Sequence, residues 1–233
     1  MKEEIEYKII EFERLDSTNE YAKSLRGAGE NVFVVAKEQT GGRGTKGRSF
    51  SSARGGVYLS RLTFYENYPA KDAFLLMASA ATAVCETLKA YGLSPKIKWP
   101  NDVHVNGKKI CGILIENSFS GANICSSVVG VGLNVCNPLP KELQEIATTV
   151  SAWTENAPSA EEVKNTLIKK LSQTHAIENY FSYLGYMGEQ AEILFGGEKI
   201  PARLIRVDGD GSLVAQTADG EKKFSAAEIS LRV

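Results

Sequence analysis

Residues 39–50 read Gln39-Thr40-Gly41-Gly42-Arg43-Gly44-Thr45-Lys46-Gly47-Arg48-Ser49-Phe50. The segment holds four glycines and three cations, and no acidic residue lies between Gln39 and Arg54. Glycine at this density lets backbone N–H groups turn towards one point, where the cations add positive charge. We therefore interpret the segment as a cradle for an anion such as phosphate. A solvated polar surface loop is the alternative interpretation.

Strand-like segments lie on both sides of this loop, Val32–Ala36 before it and Val57–Leu62 after it. A Walker loop would end in Gly-Lys-Ser/Thr, and a dinucleotide fingerprint would open a helix. The loop has neither feature, so we expect it to connect two strands of a sheet.

A strand within Ile5–Leu15 and a short helix from Glu20 are predicted upstream of the loop. Asp16 or Ser17 is a suitable N-cap for that helix. Capping is the simpler role for Asp16-Ser17-Thr18-Asn19. The alternative is that a helix N-terminus with hydroxyl groups donates hydrogen bonds to a ligand.

A long apolar helix is predicted downstream, from Pro69 to Gly92. The segment Lys96–Val105 then leads through Asn106-Gly107, a strong hairpin signal, into the strand Lys109–Glu116. Gly112 within that strand indicates close approach by a ligand or another backbone. The simpler roles are an Asx turn for Asp102, solvated charge for Lys109, and an edge-strand or core position for His104.

A further strand is predicted from Ile124 to Val135. Gly130 and Gly132 lie on one face of it, and Asn134 continues that face. Glycines followed by an amide would form a floor for a flat ligand with polar edges. A bulge is the alternative.

The C-terminal part begins with a capping box at Ser159, from which a helical stretch is predicted as far as Leu184. Short strands separated by glycine turns follow a linker near Gly185–Glu189. They are predicted at Ala191–Phe195, Ile200–Val207, Ser212–Gln216, Glu221–Phe224 and Ile229–Val233. We therefore predict two domains: residues 1–186, and a small β-barrel at 187–233.

The composition is that of an ordinary globular protein, with 43% hydrophobic residues, 24% charged residues and a net charge of −1. This balance argues against a large nucleic-acid interface. The four cysteines lack metal or disulfide spacing, and Cys85 and Cys111 are expected to be buried thiols. Met1–Glu4 carries no apolar signal region, and no run of apolar residues reaches membrane-spanning length. We therefore expect a cytoplasmic protein that binds neither nucleic acid nor a membrane.

Five segments in order resemble the motifs of biotin–protein ligases. They are Asp16–Asn19, Gly42–Arg48, Lys98-Trp99-Pro100-Asn101-Asp102, Lys109–Glu116 and Gly130-Val131-Gly132-Leu133-Asn134. The ending Glu228–Arg232 resembles that family's C-terminal domain. The resemblance implies an α+β fold, with a mixed sheet packed with helices as in class II synthetases, plus a small C-terminal SH3-like β-barrel.

The resemblance also implies a two-step ligase reaction. Biotin and ATP, with Mg²⁺, would give biotinyl-5′-AMP and pyrophosphate. Biotin would then pass to a lysine of a biotin carboxyl carrier protein domain. Family members are often homodimers formed through a strand edge.

Site residues follow from the same resemblance. The biotin contacts would be Ser17, Thr18, Asn19, Gln39, Arg43, Gly44, Thr45, Lys109 and Gly112. The ATP or adenylate contacts would be Arg43, Arg48, Phe50, Lys98, Asn101, Lys109 and Asn134. The catalytic groups would be Lys109, Arg43, Arg48 and Asp102, with Asp102 holding the metal or orienting Lys109.

The sequence departs from the family pattern at two positions. Thr45 stands where many members carry a second loop arginine, and Phe50 where many carry tryptophan. Thr45 removes a cation near the phosphate, and partial replacement by the neighbouring Lys46 is the alternative. Only about fifteen residues precede Asp16, too few for the family's DNA-binding domain, so a monofunctional ligase is expected. The alternatives are a lipoate–protein ligase or octanoyltransferase of the same fold, and a non-catalytic biotin-binding module.

Overall fold

The structure is a computed structural model that describes residues 5–232. Met1–Glu4, where the sequence shows no apolar signal region, and Val233, the predicted end of the last strand, lie outside the described residues. The strands of the first sheet are β1 Lys8–Phe12, β2 Val32–Ala36, β3 Val57–Pro69, β4 Pro95–Lys98, β5 Asp102–Val105, β6 Lys108–Ser120 and β7 Asn123–Leu133. The α-helices are α1 Thr18–Ser24, α2 Ala73–Ala90, α3 Ala160–Leu171 and α4 Ile177–Tyr183.

The first sheet has the strand order β1-β2-β3-β7-β6-β5-β4. Strands β1 and β2 pair in parallel, and the other neighbours are antiparallel. Helices α2, α3 and α4 pack over the larger apolar cluster, and α1 packs on a smaller one with Val34 and Val128. The predicted α+β fold with a mixed sheet packed with helices is confirmed.

Helix α2 corrects one expectation from the sequence. By length and composition alone, Ala70–Ala90 could cross a membrane. However, 56% of its apolar window is buried inside the protein, and small residues such as Ala81 pack against the sheet. The helix is therefore apolar because it lies in the core.

The helical stretch predicted from Ser159 to Leu184 is interrupted, which corrects a second expectation. Ser159 does form a capping box with Glu162, but α3 ends at Leu171 and α4 starts at Ile177. The Ser172 hydroxyl bonds the Ile168 carbonyl, and the His175 N–H bonds Ser79 of α2. These side-chain and tertiary bonds replace helical ones across residues with weak helix propensity.

The second sheet is antiparallel, with the strand order β11-β10-β9-β8-β12. Its strands are β8 Gln190–Phe195, β9 Glu198–Val207, β10 Leu213–Thr217, β11 Gly220–Phe224 and β12 Ile229–Arg232. Its apolar core includes Trp99, which comes from the turn between β4 and β5. The Trp99 indole N–H donates to the Gly211 carbonyl at 2.9 Å. This tryptophan therefore holds the second sheet against the first.

Gly211 is itself a contact point between the two sheets. Its φ is +84°, and a Cβ at this position would lie 2.2 Å from the Phe74 ring of α2. Only glycine fits such a positive φ together with so close an approach. The turn that receives the Trp99 hydrogen bond thus depends on glycine.

His104 on β5 is buried, with 7% of its surface exposed, and its Nδ1 lies 2.8 Å from the Tyr186 hydroxyl. Burial and then the charge of Lys98 lower the pKa of His104 to about 4 from the usual 6.5. The neutral imidazole is thus the form that the fold stabilises. Of the edge-strand and core positions considered from the sequence, the core position is the one observed.

We expect this histidine to make stability depend on pH. The unfolded chain protonates near pH 6.5 and the folded chain only near 4. The stabilisation is therefore complete above pH 6.5 and is lost as the pH falls towards 4, by roughly 3 kcal/mol in total. Urea unfolding of the wild type and His104→Gln at pH 7 and at pH 4 measures the difference. Equal pH dependence in both proteins would contradict the assignment.

Candidate active site

A cavity of about 510 Å³ lies between the first sheet, the glycine-rich loop and the end of the second sheet. It is lined by almost all of the residues that the sequence singled out. These are Ser17, Thr18, Asn19, Gln39, Arg43, Gly44, Thr45, Arg48, Phe50, Lys98, Asn101, Asp102, Lys109 and Gly112. Segments far apart in the chain thus meet around one space.

Hydroxyl and amide groups form one end of the cavity, at the start of α1. Ser17 is the N-cap of that helix, as predicted. The Thr18 N–H and hydroxyl both donate to Gln39 Oε1, at 2.8 and 3.1 Å. The Ser60 hydroxyl lies 2.8 Å from Thr18 Oγ1 and 2.6 Å from Asn19 Oδ1. These buried groups are oriented by one another, so the end is preorganised for a polar ligand.

The floor of the cavity consists of glycines on β6 and β7. A Cβ at Gly130 would lie 2.0 Å from Asn19 Oδ1, and one at Gly132 would lie 2.5 Å from the Phe50 ring. A Cβ at Gly112 would lie 3.2 Å from Lys109 Nζ. Since Gly112 and Gly132 are paired neighbours in the sheet, they form a continuous flat surface. The pairing of β6 with β7 is regular at Gly130 and Gly132, so these glycines form a floor and not a bulge.

The glycine-rich loop is folded back on itself. Arg43 pairs with Ser49 as in an isolated β-bridge, and the Gly44 N–H donates to the Arg48 carbonyl at 2.6 Å. The Arg43 side chain, 56% exposed, is ion-paired with Glu20 at 2.6 Å. The Lys46 ammonium donates to the Ile229 carbonyl of β12. The loop therefore contacts both α1 and the second sheet.

Lys109 lines the cavity beside its glycine floor. Its ammonium is 2.7 Å from Asp102 Oδ1 and 6.0 Å from the centre of the Phe50 ring. Its backbone N–H and carbonyl bond Ile146 and Thr148, so the strand position is fixed independently of the side chain. The pairing with Asp102 across β5 and β6 replaces the solvated charge and the Asx turn considered from the sequence.

Lys98 and Asn101 lie on either side of the Trp99-Pro100 turn. Burial lowers the pKa of Lys98, nearby Lys109 and Arg48 lower it further, and Asp102 opposes the shift. The Asn101 amide donates to the Ile113 carbonyl at 2.9 Å. Five cations thus line this cavity, which makes it suited to a polyanion: Arg43, Lys46, Arg48, Lys98 and Lys109.

Asn134 is the one predicted site residue that does not line the cavity in the part of the chain described. It is buried, and its Oδ1 accepts a hydrogen bond from the Asn137 amide at 3.1 Å. Its backbone N–H donates to the Ile110 carbonyl, and its carbonyl accepts from the Val150 N–H. In this structure Asn134 therefore has a role in the packing of the chain after β7.

Asp102 offers one carboxylate for a metal ion. Residues 5–232 contain no group of three or more His, Cys, Asp or Glu side chains that could hold one. Mg²⁺ at nucleotide sites is commonly held by one or two carboxylates together with the phosphates. The donor set is therefore compatible with Mg²⁺ brought by a nucleotide, and not with a metal cage made of protein alone.

Several cavity residues were not identified from the sequence. Strand β12 contributes Ile229, Ser230 and Leu231, the turn before it contributes Ala226 and Ala227, and α2 contributes Phe74 and Met77. Ser60 supports the cavity residues Thr18 and Asn19 from behind, within an apolar strand pattern, and its hydroxyl was the only sequence signal. The four cysteines are free, and burial raises the pKa of Cys85 and Cys111, as expected for inert buried thiols.

Two family models match the chain. The biotin/lipoate A/B protein ligase family matches residues 11–134, and the biotin protein ligase C terminal domain matches residues 187–232. The bifunctional ligase/repressor BirA of Bacillus subtilis (strain 168) is 33% identical over 96% of this chain and 74% of its own length. The biotin--[acetyl-CoA-carboxylase] ligase of Paracoccus denitrificans is 30% identical over 93% of this chain and 97% of its own.

A solved structure is also similar over nearly the whole chain. It is the biotin protein ligase from Aquifex aeolicus in complex with biotin and ATP. The two superpose with a TM-score of 0.79 and 30% sequence identity, covering 97% of this chain and 98% of that one.

Proposed function

Since this chain belongs to the biotin/lipoate A/B protein ligase family, we propose that it is an ATP-dependent biotin–protein ligase. It joins biotin to the α-phosphate of ATP and then transfers biotin to a lysine of a biotin carboxyl carrier protein domain. The observation that carries the proposal is the cavity itself. Neutral amides and hydroxyls form one end, glycines form the floor, and cations that include Lys109 line the cavity beside them.

The first step brings two anions together. The biotin carboxylate attacks the α-phosphate, an O–P bond forms, and the bond to pyrophosphate breaks. Fixed cations and N–H donors must offset the repulsion between the reactants and the charge that develops. Lys109, Arg43 and Arg48 supply that charge, and no nucleophilic side chain is required. Arg43 must exchange Glu20 for the phosphate.

The second step breaks a mixed anhydride. The amine of the acceptor lysine attacks the biotinyl carbonyl carbon, AMP leaves, and the amine loses a proton. Water would compete for the same carbon. Phe50 lies over Gly132 and beside Lys109, where it covers the reacting end of the ligand. The loop closes the remaining side.

The remaining contacts are proposed from the family resemblance, and the position of these residues in the cavity lining supports them. Ser17, Thr18, Asn19 and Gln39 bind the ureido ring of biotin, and Gly112 and the loop residues Gly44 and Thr45 lie beside its tail and the phosphate. Lys98 and Asn101 bind the nucleotide. Asn134 requires a rearrangement from its bond with Asn137 before it can contact adenine.

Asp102 is the residue that would hold Mg²⁺ together with the phosphates, and the ion would neutralise part of the phosphate charge. In its pair with Lys109, Asp102 also fixes the ammonium above Gly112. We further propose that the catalytic unit spans residues 1–186, that the protein acts in the cytoplasm, and that two copies associate through an outer strand of the sheet.

The test is an assay with biotin, ATP and Mg²⁺. The protein is expected to release pyrophosphate and to label a lysine of a carrier domain. Labelling with lipoate and not with biotin would favour the alternative ligase class. Biotin binding without pyrophosphate release would favour a non-catalytic binding module.

Thr45 leads to a prediction about the intermediate. A cation at this position, as many family members have, favours bound biotinyl-AMP through a charge-assisted contact. Thr45→Arg is therefore expected to slow adenylate release about tenfold, which corresponds to roughly 1.4 kcal/mol. Chase of preformed labelled adenylate measures the rate.

Lys46 is the matched control for this experiment. Lys46 also lines the cavity, but its ammonium bonds the Ile229 carbonyl in the second sheet, so we do not expect it to replace the missing cation. Lys46→Met should leave adenylate release unchanged within about twofold. If Thr45→Arg releases adenylate at the wild-type rate, the loop does not place residue 45 at the phosphate.

A further inference from the structure

Glu116 is the last residue of the Lys109–Glu116 motif and is not among the proposed ligand contacts. It does not line the cavity among the residues that the structure describes. Its carboxylate nevertheless accepts two hydrogen bonds, from the Asn19 amide at 2.9 Å and from the Lys23 ammonium at 2.7 Å. Burial raises the pKa of Glu116, but the bonds from Lys23 and Asn19 outweigh this and keep it lowered. The group is therefore charged at neutral pH.

The Asn19 amide is held from both sides. Nδ2 donates to Glu116, and Oδ1 accepts from Ser60 at 2.6 Å. A carboxylate can only accept hydrogen bonds, so Glu116 determines which end of the amide faces it. In the flipped amide, Oδ1 would face a negative charge. Asn19 Oδ1 is consequently directed over Gly130, at the wall of the cavity.

Lys23 connects this carboxylate to the loop. The Lys23 ammonium also pairs with Glu20 at 2.7 Å, and Glu20 pairs with Arg43 at 2.6 Å. Charges thus alternate in sign from Glu116 to Arg43. Helix α1 carries Glu20 and Lys23, so one set of ion pairs connects the α1 end of the cavity with the glycine-rich loop.

We propose that Glu116 is a positioning residue that gives the cavity its specificity for biotin through Asn19. It fixes Asn19 Oδ1 as an acceptor for a ligand N–H, which the ureido ring of biotin offers and the dithiolane ring of lipoate lacks. A site built to bond a polar group discriminates strongly against an analogue without it. The inference rests on the proposed function.

The first measurement is the affinity for biotin by titration calorimetry, with the KM for ATP as the second. In Glu116→Gln, the new amide can present either its oxygen or its NH₂ group to Asn19, so it no longer fixes the orientation of the Asn19 amide. Biotin affinity should fall about tenfold, the size of one charge-assisted bond, while the KM for ATP changes less than about twofold. Lys23→Met is the control: it breaks the ion pair but leaves the Asn19 bond, so biotin affinity should change less than about threefold.

A reciprocal exchange separates positioning from a structural role. Asn19→Asp alone places two carboxylates against each other and should weaken biotin binding at least tenfold. The double variant Asn19→Asp with Glu116→Gln restores a donor opposite an acceptor, and still directs an oxygen at the cavity. It should recover biotin affinity to within about threefold of the wild type.

The outcomes are distinct. Failure of the wild type to bind biotin would refute the proposed function itself. If the wild type binds biotin and Glu116→Gln binds it equally well, the positioning role is refuted. Absence of recovery in the double variant, with parallel loss of ATP affinity, would show that Glu116 only supports the fold of α1 and would also overturn the inference.

Discussion

Lys109→Ala is expected to reduce the rate of adenylate formation by at least about 100-fold, the effect of losing one preorganised group that stabilises transition-state charge. The Lys109 ammonium lies over Gly112, beside Phe50 and against Asp102, in the lining of the cavity. Removal of the side chain also leaves the Asp102 carboxylate without this cation, which adds to the repulsion of phosphate. Biotin-dependent pyrophosphate exchange measures the rate.

Lys108 provides the matched control for this prediction. It is adjacent in sequence, but its ammonium bonds the Gln144 carbonyl on the surface. Lys108→Ala should retain activity within about threefold. The fold of Lys109→Ala should be intact, because the backbone bonds to Ile146 and Thr148 do not need the side chain. Near-normal turnover of a folded Lys109→Ala variant would show that this lysine is only a solvated charge beside the hairpin.

Trp99→Ala is expected to lower the free energy of unfolding by roughly 3–5 kcal/mol, the usual cost of truncating a large aromatic side chain in a core. Trp99 is 3% exposed, belongs to the apolar core of the second sheet, and donates to Gly211. Lys98 and Asn101 flank it, so the end of the cavity where we propose that the nucleotide binds should also lose its geometry. Urea unfolding and the KM for ATP are the two measurements.

Trp153 is the control, since it is the second of the two tryptophans and is 46% exposed. Trp153→Ala should cost less than about 1 kcal/mol, as surface substitutions usually do. If both tryptophan variants unfold at the same urea concentration, Trp99 does not anchor the second sheet. Phe at position 99 should recover part of the stability, because the ring remains and only the hydrogen bond is lost.

The order of the strands along the chain was largely predictable, because alternating apolar residues and glycine turns are local signals. The Asn106-Gly107 hairpin, the N-cap at Ser17 and the capping box at Ser159 all occur where predicted. The break between α3 and α4 was not predictable. It depends on the hydrogen bond from the His175 N–H to Ser79 of α2, and these two residues are 96 positions apart in the sequence.

The sequence by itself determined the chemistry of the candidate site: glycines that permit close approach, cations for phosphate, and amides and hydroxyls for a polar ring. These properties belong to single residues and short spacings, so they do not depend on the rest of the chain. Only the tertiary structure decided which partners the side chains take. Trp99 bonds Gly211, which is 112 positions away. Lys46 bonds Ile229, 183 positions away, and Glu116 bonds Asn19, 97 positions away. Packing of the sheets brings these groups together, and no local pattern encodes such distances.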